Sequence, residues 1–177
     1  RLVSISMIHK LKGHYLDTKH PIIIENLMGI RRVKGSIQKG KKPLLINHLK
    51  SIVNVINKQN IDEIKKARDK SIVLLGFGGG FRRTELISID YEDLEFVPEG
   101  LKITIKRSKT DQLGEGMMKG LPYFTNHEYC PVINLKKWLE LSKIKSGPIF
   151  KRFAKGSSIT NNRLTDQTVV LLIKKYL

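Results

Sequence analysis

The sequence predicts an α-rich α+β protein, mostly helical, with one small antiparallel sheet set into the second of two domains. Three observations predict it. Apolar residues recur at helical spacing over most of the chain, as at Leu2, Ile5, Ile8 and Leu11. One stretch behaves differently: Leu101, Ile103 and Ile105 alternate with Lys102, Thr104 and Lys106, the period-two pattern of a half-buried strand. Between two apolar-periodic regions lies GSIQKGKKP, residues 35–43, with two glycines, a proline and three lysines, which is linker composition. The expected organisation is a first helical domain over residues 1–35, a linker over 36–43 and a second domain over 44–177.

The elements follow in order. Residues 1–12 read as a helix closed by Gly13. Pro21 suits the first turn of a second helix, which Ile23, Ile24, Leu27 and Ile30 continue to Gly35. Leu45, Leu49, Ile52, Val53 and Ile56 line the next amphipathic helix. Asn60 or Asp62 suits the cap of another, with Ile64, Ala67, Ile72 and Leu75 on its buried side. The run SIVLLGFGGGF fits either a buried helix end or a buried strand, since periodicity does not separate the two. A short helix fits residues 84–89. Pro98, Glu99 and Gly100 form the turn into the alternating strand, and a third strand fits 118–124. Pro131 opens a helix carrying Val132, Leu135, Trp138, Leu139 and Leu141. Residues 143–158 read as a basic connection, and a last helix begins near Thr165.

Composition narrows the function. The 177 residues hold 33 Lys and Arg against 16 Asp and Glu, a formal net charge of +17. Hydrophobic residues make up 40%, too many for a disordered basic tail. No run approaches the roughly 18 apolar residues of a membrane span. A single cysteine, Cys130, excludes a disulfide framework and any cysteine-based zinc site, and a cytoplasmic setting is expected. The charge is also unevenly placed. Residues 1–60 carry 12 basic and 2 acidic side chains. Arg31, Arg32, Lys34, Lys39, Lys41 and Lys42 form one acid-free stretch; Lys143, Lys145, Lys151, Arg152, Lys155 and Arg163 form another. A merely soluble surface intersperses both signs, so a polyanionic partner, double-stranded DNA above all, is expected.

The glycines at 76, 78, 79 and 80 suggest a phosphate cradle at first sight. A dinucleotide fingerprint needs GxGxxG, yet Phe81 or Arg83 stands at the third position, and no GxxxxGK follows. An α/β nucleotide-binding protein is therefore a lesser alternative, and it requires a strand over residues 70–77. The other reading gives these glycines to close packing against a neighbouring element.

Directly after them, Gly80-Phe81-Arg82-Arg83-Thr84-Glu85-Leu86 and then Ile89-Asp90-Tyr91-Glu92-Asp93-Leu94 resemble the first arginine box of the tyrosine recombinase (phage integrase) family, usually G-L-R-x-S-E-L followed by an acidic stretch. Phe81 and Thr84 replace the usual Leu and Ser, and Gly79 stands where the family often has Thr. The resemblance extends along the chain: ITIKRSK at residues 103–109 is similar to the family's second strand and lysine-bearing turn. Leu121-Pro122 resembles the end of its third strand, Cys130-Pro131-Val132 the following helix, and Gly147-Pro148-Ile149-Phe150 its G-P-L-F step. Residues 23–32 resemble the last helix of the family's core-binding domain.

The resemblance implies a fold and a reaction. The fold is a helical catalytic domain with a three-stranded antiparallel sheet, preceded by the last helices of a core DNA-binding domain. The reaction is DNA strand cleavage by a tyrosine hydroxyl through a 3′-phosphotyrosyl link, then rejoining, with no metal and no cofactor. Arg82 matches the arginine that holds phosphate oxygens, Lys109 the general acid and Glu85 the acidic residue supporting the arginine. DNA contacts are expected at Arg31, Arg32, Lys34, Lys41, Lys42, Arg83, Lys106, Arg107, Lys151 and Arg152. A bacterial or phage-derived, nucleoid-associated protein that self-associates on DNA is implied as well.

The family's remaining groups are an H-x-x-R box, a second His or Trp, and the nucleophilic Tyr. Three residues after His9, His14, His20, His48 and His127 come Lys12, Asp17, Ile23, Ser51 and Cys130, so none forms H-x-x-R. Tyr176, in LLIKKYL, resembles the helix before that box and not the nucleophile's segment. A C-terminally truncated recombinase is expected, one that binds DNA without cutting it. A non-catalytic, stand-alone DNA-binding module is the alternative.

Overall fold

The computed structural model describes residues 2–35, 40, 43–106 and 116–177. Most of the expected linker, with Lys41 and Lys42, and the turn carrying Arg107 and Lys109 lie outside the described residues. The chain divides into two compact units, Arg1–Pro43 and Leu44–Leu177.

The first unit contains α1 (Leu2–Leu11) and α2 (Pro21–Lys34). Pro21 occupies the first turn of α2, where its missing N–H costs nothing. The imidazole Nδ1 of His20 accepts the Ile22 N–H at 3.3 Å and caps the helix. Neither helix buries a residue.

In the second unit, α3 (Ile46–Lys58) and α4 (Glu63–Gly78) come first and pack together, followed by α5 (Arg83–Ser88). Then come β1 (Leu94–Val97), β2 (Gly100–Ile105), β3 (Met117–Pro122) and α6 (Pro131–Ser142). A hairpin of β4 (Lys151–Phe153) and β5 (Ile159–Arg163) leads into α7 (Asp166–Tyr176). The first three strands pair in the order β1-β2-β3, all antiparallel. The α+β class is as the sequence predicts. No described helix is long and apolar enough to cross a membrane.

The central element is α4, which packs against α3, α6 and α7. Its residues Ser71 to Leu75 are all buried. That all-round burial removes the helical period from the sequence and explains why the run fits a strand equally well. Residues 70–77 are helical, so the strand that an α/β nucleotide-binding reading requires is not there. The core also takes in Ile52, Val53 and Ile56 of α3, the inward side chains Leu101, Ile103 and Ile105 of β2, and Val169 and Leu172 of α7. Trp138 is fully buried in α6, and its Nε1–H donates to the Ile149 carbonyl at 2.7 Å. That bond satisfies the one polar atom of the side chain and ties α6 to the segment before β4.

The connection expected over 143–158 is structured differently. Part of it is β4, and Ile159–Arg163 pairs with it. Strands of three and five residues, rich in Lys, Arg, Asn and Thr, carry little period-two signal. Their pairing is held by tertiary contacts: the Leu164 N–H bonds to the Phe150 carbonyl (2.8 Å), and Phe153 meets Trp138 edge-on at 6.2 Å.

Candidate functional site

The site is built where α4 ends. The N–H of Gly80 bonds to the Phe77 carbonyl (3.2 Å), and that of Phe81 to the Gly76 carbonyl (3.1 Å). Gly80 has φ +55°. This is a Schellman close, and it needs a residue at ease in the left-handed region. A Cβ on Gly79 would lie 2.1 Å from the Phe81 ring. The glycine run therefore ends a helix and lets Phe81 fold back over it. No phosphate cradle is required to account for it.

The chain leaves this turn at Arg82 in an extended conformation (φ −64°, ψ 150°) and starts α5 at once. Glu85 sits in the third position of α5 and reaches back. Its Oε2 accepts the Arg82 N–H at 3.0 Å, satisfying a donor the helix start leaves open. Its Oε1 accepts Nη1 of the Arg82 guanidinium at 2.7 Å. One carboxylate thus fixes both the backbone and the side chain of the same arginine. Glu85 is 3% exposed and Arg82 is 47% exposed. The anion is inside, and the cation is half-exposed at the surface.

A third charged group completes the cluster. Lys119 of β3 lies 3.9 Å from Oε2 of Glu85. It donates to the carbonyls of Gly79 (3.0 Å) and Gly80 (3.2 Å) and stands over the Phe81 ring, 4.5 Å from its centroid. Sequence reasoning missed this residue, although a signal was present. Lys119 pairs opposite Ile103 and Leu121 opposite Leu101, so the lysine is in phase with the buried face of the sheet.

A second network anchors the far end of α5. Arg163 of β5 donates Nη1 to the Ile87 carbonyl (2.6 Å) and Nη2 to Oδ1 of Asp90 (2.5 Å). Lys106, at the end of β2, pairs with Asp93 (2.9 Å) and Asp90 (3.3 Å). Burial works to raise the Asp90 carboxyl, but the hydrogen bonds from Arg163 and Lys106 outweigh it and hold the group below its ordinary value. The hydrogen bond to Asp93 is the main cause that raises the Lys106 ammonium. The segment is also stitched by backbone: Tyr91 N–H to the Gly147 carbonyl (2.8 Å) and Ile149 N–H to the Ile89 carbonyl (3.2 Å). The acidic stretch after the arginine motif is thus structural, a brace between α5, β2 and β5.

The other expected site residues fall as follows. Arg83 is exposed and lies 4.0 Å from Asp166 at the start of α7. Lys151 and Arg152 are on β4, where Arg152 Nε donates to the Arg163 carbonyl at 3.2 Å. Arg31, Arg32 and Lys34 are exposed in the last turn of α2, in the first unit. Tyr176 is buried, and its hydroxyl donates to Asp69 Oδ2 at 2.9 Å. The other oxygen of Asp69 is held by Arg68 Nε (3.0 Å) and Nη2 (2.9 Å). Burial first, and the Asp69 charge second, push the phenol well above its ordinary value.

Comparison with known proteins gives two likenesses. The chain is 38% identical, over 179 aligned residues, to an integrase/recombinase XerD homolog of Selenomonas ruminantium, an alignment covering 99% of this chain and 52% of the relative. It therefore spans about half the length of the curated relative it matches. Its fold is similar to the crystal structure of XerA recombinase, with a TM-score of 0.51 and 16% identity over 99% of this chain and 65% of that one. No family model matches the chain. The arginine motif, the α+β architecture around it and the relative at 38% identity agree, and the chain belongs to the tyrosine recombinase family.

Proposed function

We propose that this chain supplies the phosphate-holding half of a DNA strand-exchange site, with residues 1–35 forming the end of a core-binding domain, residues 36–43 a linker and residues 44–177 most of a catalytic domain. The observation that carries this reading is the Arg82–Glu85 pair: a half-exposed guanidinium whose direction is set by a buried carboxylate at 2.7 Å. Cleavage of a phosphodiester by a tyrosine hydroxyl passes through a phosphorane with extra charge on its non-bridging oxygens. A guanidinium fork held in advance stabilises that charge without reorganising as it develops. The attacking oxygen bonds to phosphorus, the 5′-oxygen leaves, and Lys109 gives that oxygen its proton. The bond energy stays in the phosphotyrosyl link, and a 5′-hydroxyl of another strand reverses the step.

Residues 1–177 on their own hold duplex DNA and do not cut it. The sequence has no H-x-x-R box, and the hydroxyl of Tyr176 is committed to Asp69 in the core. DNA is recognised first through its phosphates: Arg31, Arg32, Lys34, Lys41 and Lys42 from the first unit and linker, and Arg83, Lys106, Arg107, Lys151 and Arg152 from the second, position the duplex without specifying its sequence. The setting is a bacterial cytoplasm, on the nucleoid. A nicked suicide substrate tests the reading. The chain should retain it in a gel shift and form no covalent adduct under denaturing conditions. An adduct that disappears in Tyr176→Phe would overturn the account of the missing nucleophile.

A further inference from the structure

We propose that Lys119 is the positioning residue for Arg82, a half-buried, inward-turned ammonium that locks the end of α4, the Glu85 carboxylate and hence the guanidinium into one unit. The proposal deepens the phosphate-holding reading and rests on it. A lysine ammonium has three N–H donors and no acceptor. In Lys119 two of them go to the carbonyls of Gly79 and Gly80, at 3.0 and 3.2 Å, and the group faces Glu85 at 3.9 Å. All three neighbours are negative: two carbonyls just past the C-terminus of α4, where the helix dipole adds to them, and one carboxylate. The Phe81 ring covers the group, and the side chain is 19% exposed. Lys106, at the end of the neighbouring strand, is 60% exposed by contrast. A lysine that reached for a phosphate would keep its head in solvent; this one is turned inward.

The consequence for Arg82 runs through Glu85. That carboxylate is shared between the Arg82 N–H, the Arg82 guanidinium and the Lys119 charge. With the ammonium present, Glu85 is neutralised from the protein side, and the Gly79–Gly80 turn that leads into Arg82 is tied to β3. Without it, a buried carboxylate leans harder on the guanidinium, and the turn loses its tether to the sheet. Both changes move the fork away from the position in which it meets a phosphate.

The test compares Lys119→Gln, which removes the charge, with Lys119→Arg, which keeps it. Two measurements are made. In free protein, the ¹⁵N signal of the Arg82 guanidinium should shift and broaden in Lys119→Gln and be largely restored in Lys119→Arg. On duplex DNA, Lys119→Gln should weaken binding about fivefold when Arg82 is present and by less than about twofold in an Arg82→Ala background, the non-additivity expected of side chains in one network. Equal weakening in both backgrounds would make Lys119 a phosphate contact in its own right and overturn the proposal. An unchanged guanidinium signal in Lys119→Gln would also overturn it. If Arg82→Ala by itself leaves DNA affinity intact, the phosphate-holding reading fails, while the guanidinium signal still decides whether Lys119 positions Arg82. Should Lys119→Gln not fold, the unsubstituted chain decides. A hydrogen-bonded ammonium keeps its ¹⁵N–¹H signal at neutral pH where exposed lysines lose theirs, and a Lys119 signal as labile as those of exposed lysines would overturn the proposal.

Discussion

Residues 2–34 and residues 44–177 carry the same apolar helical spacing and put it to opposite use. In the second unit the periodic positions are interior: Ile52, Val53 and Ile56 of α3 and Trp138 of α6 are almost completely removed from solvent. In the first unit neither helix buries a residue; Ile8 is 53% exposed and Val33 is 86% exposed. Spacing decides that a segment is helical, because it builds a stripe. Whether the stripe becomes core depends on what is packed against it. Stability should therefore reside in the second unit.

Substitutions that cut at that contrast differ widely in size. Trp138→Ala empties the largest fully buried side chain and orphans the Ile149 carbonyl. It should cost about 3–5 kcal/mol in urea unfolding. Tyr176→Phe leaves the buried Asp69 without one of its donors and should cost about 1–3 kcal/mol, with DNA affinity unchanged. Affinity loss without destabilisation would point to a role for the hydroxyl outside the core.

Asp90 gives a pH-dependent case. Its carboxyl is held below the ordinary 3.8 in the folded protein, so the unfolded chain takes up the proton first as pH falls. Its contribution is complete above that ordinary value and is lost as pH drops through the lower, folded one. The stability gap between the unsubstituted chain and Asp90→Asn should be constant near neutrality and close in acid below 3.8. A gap that persists there would separate the Arg163–Asp90–Lys106 brace from its charges. The smallest effect is expected in the first unit: Ile8→Ser should change stability by less than about 0.5 kcal/mol, and a core-sized loss would show that α1 is buried in solution.

Much of this was legible in the residues, unevenly and for physical reasons. The helices of the second unit and the alternating strand were legible because each has one buried side. The exception is Ser71–Leu75 within α4, a stretch buried all round that shows no period, and the glycines after it suggest a ligand loop although Gly80 closes a helix. The β4–β5 hairpin was hidden, since strands of three and five mostly polar residues carry no pattern without their partners. At the site, the arginine motif announced Arg82 and Glu85, whose contact is local, three residues apart. Lys119 joins them from 34 residues or more away in sequence, across a sheet register that no local pattern encodes; only its inward phase marked it.

Equilibrium binding to a duplex, measured by fluorescence anisotropy over a series of salt concentrations, tests the central claim that Arg82 holds a phosphate. The unsubstituted chain should bind with an affinity that falls steeply with salt as counterions are released. Arg82→Ala should weaken binding about tenfold at low salt and reduce the salt slope by about one. An Arg82→Ala chain that matched the unsubstituted one in both affinity and slope would contradict the claim.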